Sequence, residues 1–322
     1  MTEEIRKGLF RIEVPLPNNP LRSVNCYAIR GGDRSLIIDT GLNRPECLQS
    51  IRQGVRELEI DLAKSDFFIT HFHTDHLGLV GELAREGSRV YFNQPELDWM
   101  MNWGGWEVMF DYGARNGFPR DQLQSAFHNH PGARFAPTRI PELQILSDGD
   151  QLRFGGYTFR AVSTPGHSPG HICLYEPERK LLISGDHVLG DITPNIQCWS
   201  DEHNPLQSYL DNLDKVRLLE TELVLPGHRG LISDPIKRID ELKAHHHRRL
   251  NEVLDVLDGG PAHAYRVASR MSWDIEADSW DDFPLMQKWF ATGEAIAHLR
   301  YLEEKGAVRR KPEGTDTAYE RM

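Results

Sequence analysis

His71-Phe72-His73-Thr74-Asp75-His76 places four metal-ligand side chains within six consecutive residues, and few folds have a use for such a stretch. An apolar run, Phe67-Phe68-Ile69, precedes it, and Leu77-Gly78-Leu79-Val80-Gly81-Glu82-Leu83 follows. The first run reads as a buried strand and the second as a helix. A strand continuing through His71 and His73 would put both rings on one side by its period of two. Asp75 and His76 would then open the helix, close enough to serve a second ion. Neutral imidazoles and a carboxylate suit a borderline cation such as Zn²⁺. A histidine-rich surface loop is the plain alternative, and it gives no reason for this order of ligand types.

Three later segments share the build. Phe159-Arg160-Ala161-Val162-Ser163 leads into Thr164-Pro165-Gly166-His167 and on to His171. Leu181-Leu182-Ile183-Ser184 leads into Gly185-Asp186-His187, and Leu223-Val224-Leu225 into Pro226-Gly227-His228. Earlier, Ser35-Leu36-Ile37-Ile38 ends at Asp39. Short apolar runs closed by Gly or Pro read as buried strands ending in turns. Strands of a common core expose their ends at common edges, so the repeated order of strand, turn and ligand predicts one composite site.

From about Leu9 to about Pro235 the chain resembles the metallo-β-lactamase-fold superfamily of hydrolases. Asp39 matches the family's first motif, His71, His73, Asp75 and His76 its HxHxDH signature, and His167, Asp186 and His228 its later motifs. The resemblance implies that His71, His73 and His167 hold one metal ion, that Asp75, His76 and His228 hold a second, and that Asp186 bridges them. It implies two Zn²⁺ per chain, with iron or manganese as alternatives. His73 is not the glutamate of the flavodiiron branch, and the full second set disfavours single-iron redox chemistry. Two such cations about 4 Å apart share a water and bring its pKa toward about 7, so a bridging hydroxide is the expected nucleophile. Asp75 and Asp186 are the catalytic carboxylates on this reading. Asp39 and His171 are expected behind the ligands, fixing their rotamers. For His171 a partly buried structural histidine is the competing reading.

Composition fits a soluble enzyme. The chain has 322 residues, enough for a catalytic domain over 1–235 and a second domain over 236–322. No apolar run approaches the roughly 20 residues of a membrane helix, and the N-terminus lacks a signal peptide's apolar core. Cys26, Cys47, Cys173 and Cys198 are widely spaced, which points to reduced core thiols and a cytoplasmic protein. A net charge of −11 argues against a nucleic-acid partner.

Residues 94–141 form an insert rich in aromatic and sulfur side chains, with Trp99, Trp103 and Trp106 among its members. It reads either as a cap lining an apolar substrate pocket, with those tryptophans as its wall, or as a helical insert packing on the core or across a homodimer interface. Gly104-Gly105 interrupts any helix there. After Asp234-Pro235 a long helix is expected, with Ile239, Leu242, His246, Leu250, Val253, Leu254 and Leu257 on its apolar face. Of His245, His246 and His247 only His246 shares that face, so the three do not form a metal cluster. Two more helices and a hairpin around Pro312-Glu313-Gly314 follow. They resemble the winged-helix-like appendage of the superfamily branch that includes glyoxalase II and a β-lactamase-like endoribonuclease. Arg309, Arg310 and Lys311 fall on that hairpin.

The expectation is therefore an α/β chain folded as an αββα sandwich, with a helical winged-helix-like C-terminal region. Its expected activity is metal-dependent hydrolysis of a small acyl compound: a thioester, lactone or related ester. A metal-dependent endoribonuclease or phosphodiesterase is the alternative.

Overall fold

A computed structural model describes residues 2–102 and 104–322, the side chain of Glu313 excepted. The first sheet contains β1 (Thr2–Arg6), β2 (Leu9–Pro15), β3 (Ser23–Ile29), β4 (Ser35–Ile38), β5 (Ser65–Phe68), β6 (Val90–Phe92) and β7 (Leu143–Ile145), in that order. It is antiparallel as far as β4 and parallel from there. The second contains β8 (Gln151–Phe154), β9 (Tyr157–Ser163), β10 (Ile172–Glu176), β11 (Leu181–Gly185) and β12 (Leu223–Pro226), antiparallel except for the last pair. A small third sheet is formed by β13 (Ala262–His263), β14 (Val308–Glu313) and β15 (Asp316–Arg321). The helices are α1 (Pro45–Glu57), α2 (Thr74–Leu77), α3 (Val80–Leu83), α4 (Gln94–Asn102), α5 (Gly105–Arg115), α6 (Arg120–Asn129), α7 (Pro131–Arg134), α8 (Pro205–Arg217), α9 (Pro235–Leu257), α10 (Ala264–Ala268) and α11 (Leu285–Glu304).

Period-two alternation explains the layering. In β3, Tyr27 and Ile29 face a core shared with Phe159, Ile172 and Ile183 of the second sheet, while Val24, Cys26 and Ala28 face Cys47, Ile51 and Val55 of α1. In β11, Leu181 and Ile183 point inward and Leu182 joins the outer layer built by α8, α9 and α11. Two sheets with helices on both outer faces make the expected αββα sandwich. Strands β3, β4, β5, β10 and β11 are buried along their whole length and are mostly apolar, with Asn25, Asp66 and Glu176 among the buried polar exceptions.

The C-terminal helices follow the predicted periodicity. Asp234 caps α9 by accepting from the Lys237 N–H at 3.1 Å, and Pro235 occupies the first turn. His246 is buried beside His298, at 3.2 Å, while His247 is exposed. The expected hairpin is β14–β15, and the two-residue strand β13 completes its sheet. The outer core runs without interruption from Val162 and Leu182 to Ile296 and Leu299 of α11, so the C-terminal region packs directly on the second sheet. Cys26, Cys47, Cys173 and Cys198 are all buried and unpaired. Among the described residues, no helix is long and apolar enough to cross a membrane.

One expected element differs. The segment after His76 is not one helix but two single turns, α2 and α3. Thr40 causes the break. Its hydroxyl donates to the His76 carbonyl at 2.7 Å, its own N–H does so at 2.8 Å, and its Oγ1 accepts from the Leu79 N–H at 3.1 Å. The carbonyl that would accept from residue 80 in a continuing helix is thereby taken. Gly78 permits the approach, since a Cβ there would lie 2.7 Å from the Gly41 carbonyl oxygen.

Candidate metal centre

The parallel strands β4 and β5 of one sheet and β11 and β12 of the other end at a common edge, and their loops meet there. A side-chain strut joins the two sheets. Asn25 Nδ2 donates to the carbonyls of Pro226 and Arg229, and the Tyr27 hydroxyl donates to Pro226 at 2.8 Å. His71 and His73 stand on a loop and not on a strand as expected. Strand pairing stops at Phe68, and beyond it the Thr70 N–H bonds the Asp39 carboxylate at 2.9 Å.

Seven expected residues come together. His71, His73 and His167 form one trio, Asp75, His76 and His228 another, and His71, His76 and Asp186 a third. The ligand-type atoms of each trio lie within 4.8 Å of one another. His73 Nδ1 is 3.0 Å from both His71 Nε2 and His167 Nε2. The Asp186 carboxylate faces both sides: Oδ1 is 3.5 Å from His76 Nε2, while Oδ2 is 3.6 Å from His167 Nε2 and 3.4 Å from His228 Nε2. Asp75 Oδ2 is 3.3 Å from His228 Nε2. Its side chain keeps 16% of its surface exposed, against 8% for Asp186, so Asp75 is the more solvent-accessible of the two carboxylates.

Four of the five rings, those of His71, His76, His167 and His228, are oriented from behind. His167 Nδ1 faces the Asn195 carbonyl at 2.9 Å and His228 Nδ1 the Ser23 carbonyl at 2.7 Å. His76 Nδ1 faces Asp39 Oδ2 at 2.8 Å. These oxygens only accept, so each Nδ1 carries its proton and each Nε2 is directed into the centre. Asp39, at a φ of 58°, also accepts from the Thr70 hydroxyl, whose oxygen is 3.0 Å from His71 Nδ1. His171 is wholly buried between Thr164 Oγ1, at 2.8 Å, and the Asp186 N–H, which it accepts at 3.1 Å. It therefore anchors the backbone of Asp186.

The electrostatics fit cations at the centre. Burial, reinforced by His167, pushes His73 down to about 3, and burial with the neighbouring rings lowers His71 too, so that trio is neutral and open to a cation. Burial also opposes a charge on His228, yet Asp186 and Asp75 push it up to about 10. Burial disfavours the ionised Asp186, but His228 and His76 hold it well below the usual carboxylate range. His76 Nε2, His228 Nε2 and Asp186 Oδ1 are buried without a hydrogen-bond partner. Buried polar atoms left unpaired at the focus of two carboxylates fit two divalent cations, whose binding would displace the imidazolium protons. Gly227 keeps the space open, because a Cβ there would lie 2.4 Å from Asp186 Oδ1.

The superfamily profile, "Metallo-beta-lactamase superfamily", matches residues 19–228. The chain belongs to that superfamily. A second profile, "Metallo-beta-lactamase-like, C-terminal domain", matches residues 250–319. The chain is 28% identical over 317 residues to an atrochrysone carboxyl ACP thioesterase of Aspergillus novofumigatus, covering 95% of this chain and 82% of that protein. It is 30% identical over 257 residues to an atrochrysone carboxyl ACP thioesterase of Emericella nidulans, covering 80% of this chain but 66% of that one. A crystal structure of a metallo-beta-lactamase family protein from Thermus thermophilus superposes with a TM-score of 0.82 at 30% identity, over 99% of this chain and 100% of that one. The protein is a metal-dependent hydrolase of the metallo-beta-lactamase superfamily.

The aromatic insert comprises the four helices α4–α7. Trp106 packs on Phe127 and His130, with ring centroids 5.2 and 4.7 Å away, and neighbouring Phe110 lies against Trp289 of α11. Trp99 is half-buried on α4, and Trp103 lies outside the described residues. The insert also carries a residue the sequence did not single out, Glu96, which is wholly buried and bonded to the loops of His71–His73 and of His167. Burial pushes its carboxyl up to about 7 against three hydrogen bonds that lower it. Asn195 is a second unanticipated residue. Its carbonyl supports His167 while its side chain donates to Glu294 of α11 at 2.6 Å.

Proposed function

We propose that the enzyme hydrolyses a small acyl compound, a thioester, lactone or related ester, at a dinuclear metal centre. On this reading His71, His73 and His167 hold one ion, Asp75, His76 and His228 the other, and Asp186 lies between them. Zn²⁺ suits this nitrogen and oxygen set. The buried, unpartnered Nε2 atoms of His76 and His228, aimed at two carboxylates, carry the assignment. When bound, two such cations supply Lewis acidity toward the substrate oxygen and an acidified water. Asp75 orients that water and accepts its proton. Water adds to the acyl carbon and the C–S or C–O bond breaks, leaving an acid and a thiol or alcohol. His171 holds Asp186, and Asp39 holds His76, against displacement during the reaction.

The acyl class draws support from the thioesterase relatives and from the C-terminal hairpin. There, Arg309 pairs with Glu320 at 2.6 Å, Arg310 with Asp201 at 2.7 Å and Glu303 at 3.1 Å, and Lys311 approaches Glu320 at 3.9 Å. A basic run already neutralised by its own acids has little charge left for phosphates. We further take the chain to divide near residue 235. The appendage belongs on this reading to the glyoxalase II and endoribonuclease side of the superfamily. Four buried thiols suit a cytoplasmic enzyme.

A panel of thioesters, lactones and phosphodiesters on metal-loaded protein tests the assignment. Thioester or lactone hydrolysis should exceed phosphodiester cleavage and vanish in Asp75→Ala. If Trp99 lines the acyl pocket, Trp99→Ala should raise KM for long chains more than for short ones, with kcat little changed. Inert acyl substrates together with Asp75-dependent RNA cleavage would replace this reading with the nuclease one.

A further inference from the structure

Glu96 is 0% exposed, in the first turn of α4, and forms no ion pair among the described residues. Its Oε2 accepts from the Phe72 N–H at 2.8 Å, and Phe72 lies between His71 and His73. Its Oε1 accepts from the Ser168 hydroxyl at 2.6 Å and from the Gly170 N–H at 2.5 Å, on the loop that follows His167. Three donors meet one carboxylate, which in its ionised form only accepts and has lone pairs for all three. Neither a carboxamide nor an alkyl group can replace it without leaving a buried donor unpaired. Gly170 belongs to the same device, because a Cβ there would lie 2.6 Å from the Glu96 backbone nitrogen. The three trio histidines come from two loops separated by 94 residues between His73 and His167, and Glu96 is bonded to both loops at once.

We propose that Glu96 is a positioning residue of the metal centre: it fastens the His71–His73 loop to the His167 loop from within the insert, and so sets the geometry of one half of the site. The inference rests on the assignment of that trio to one cation. Its consequence is a coupling between the docking of α4 and occupancy of that half. Whatever seats α4 tightens the trio, and by reciprocity a bound ion at the trio holds α4 in place.

Metal affinity in paired backgrounds separates this role from a general loss of stability. His228→Ala leaves the His71–His73–His167 trio as the stronger half, and His167→Ala leaves Asp75–His76–His228. Zn²⁺ affinity, measured by competition with a chromophoric chelator, should fall about tenfold or more when Glu96→Gln is added to the first background. It should be unchanged when Glu96→Gln is added to the second. Equal losses in both backgrounds, or none in either, would overturn the proposal. Hydrogen exchange of the unaltered chain gives a test that needs no variant. Zn²⁺ should slow exchange of the amides of residues 94–102 as well as of the ligand loops. Protection of the loops with α4 unaffected would also overturn it. An unaltered chain that takes up no Zn²⁺ would instead refute the metal assignment beneath it.

Discussion

Asp186→Ala is expected to lower kcat/KM by three orders of magnitude or more, about 4 kcal/mol of transition-state stabilisation, and to weaken metal uptake in both halves of the site. Its two oxygens face three histidines belonging to both trios at 3.4–3.6 Å, the placement a carboxylate shared by the two proposed ions requires. The fold should survive, because the residue's backbone N–H is held by His171 Nε2 and not by its own carboxylate. Asp186→Asn sharpens the test by keeping the shape and removing the charge. Steady-state kinetics together with metal analysis of both variants checks this. An Asp186→Asn enzyme with near-normal turnover would contradict the placement of the carboxylate between the ions.

Asp39→Asn should weaken metal binding by about 10- to 100-fold without unfolding the chain. Asp39 accepts from the Thr70 N–H and hydroxyl on one side and faces His76 Nδ1 on the other. A carboxamide has one oxygen, and the Thr70 N–H claims it. Its NH₂ group then faces His76 Nδ1, which must give up its proton to accept. The proton moves to Nε2, the atom aimed at the centre, and a protonated nitrogen cannot bind a cation. Asparagine tolerates the left-handed backbone at φ 58°, so the substitution isolates the tautomer from backbone strain. Asp39→Ala adds that strain and leaves three buried donors unsatisfied, for a stability cost of about 3 kcal/mol or more. Chelator competition for the first variant and thermal unfolding for the second give the numbers. Unaltered Zn²⁺ affinity in Asp39→Asn would refute this role.

The strand ends were legible because short apolar runs closed by Gly or Pro have few other uses, and Asp39, His71, His167, Asp186 and His228 each follow one. The helical face of α9 was legible for the same kind of reason: Ile239, Leu242, His246, Leu250, Val253, Leu254 and Leu257 recur at its period, and all are buried except Leu254, which packs partly buried against the same core. What escaped depends on long-range polar contacts. Thr40 breaks the helix after His76 from 36 residues away. Glu96 sits in the first turn of a helix, where an acid ordinarily faces solvent and complements the helix dipole. Nothing local distinguishes it from such an acid. Asn195 supports His167 through its carbonyl and reaches Glu294 across 99 residues, a pairing without periodicity or spacing to reveal it. The ligands therefore follow the local pattern of strand and turn, whereas the groups that orient them follow the tertiary fold.

The dinuclear character of the centre is the claim on which the rest depends, and metal stoichiometry tests it most directly. Protein stripped with chelator, saturated with Zn²⁺ and freed of excess ion by gel filtration should carry two ions per chain by elemental analysis. One tightly held ion per chain at saturation would contradict the account.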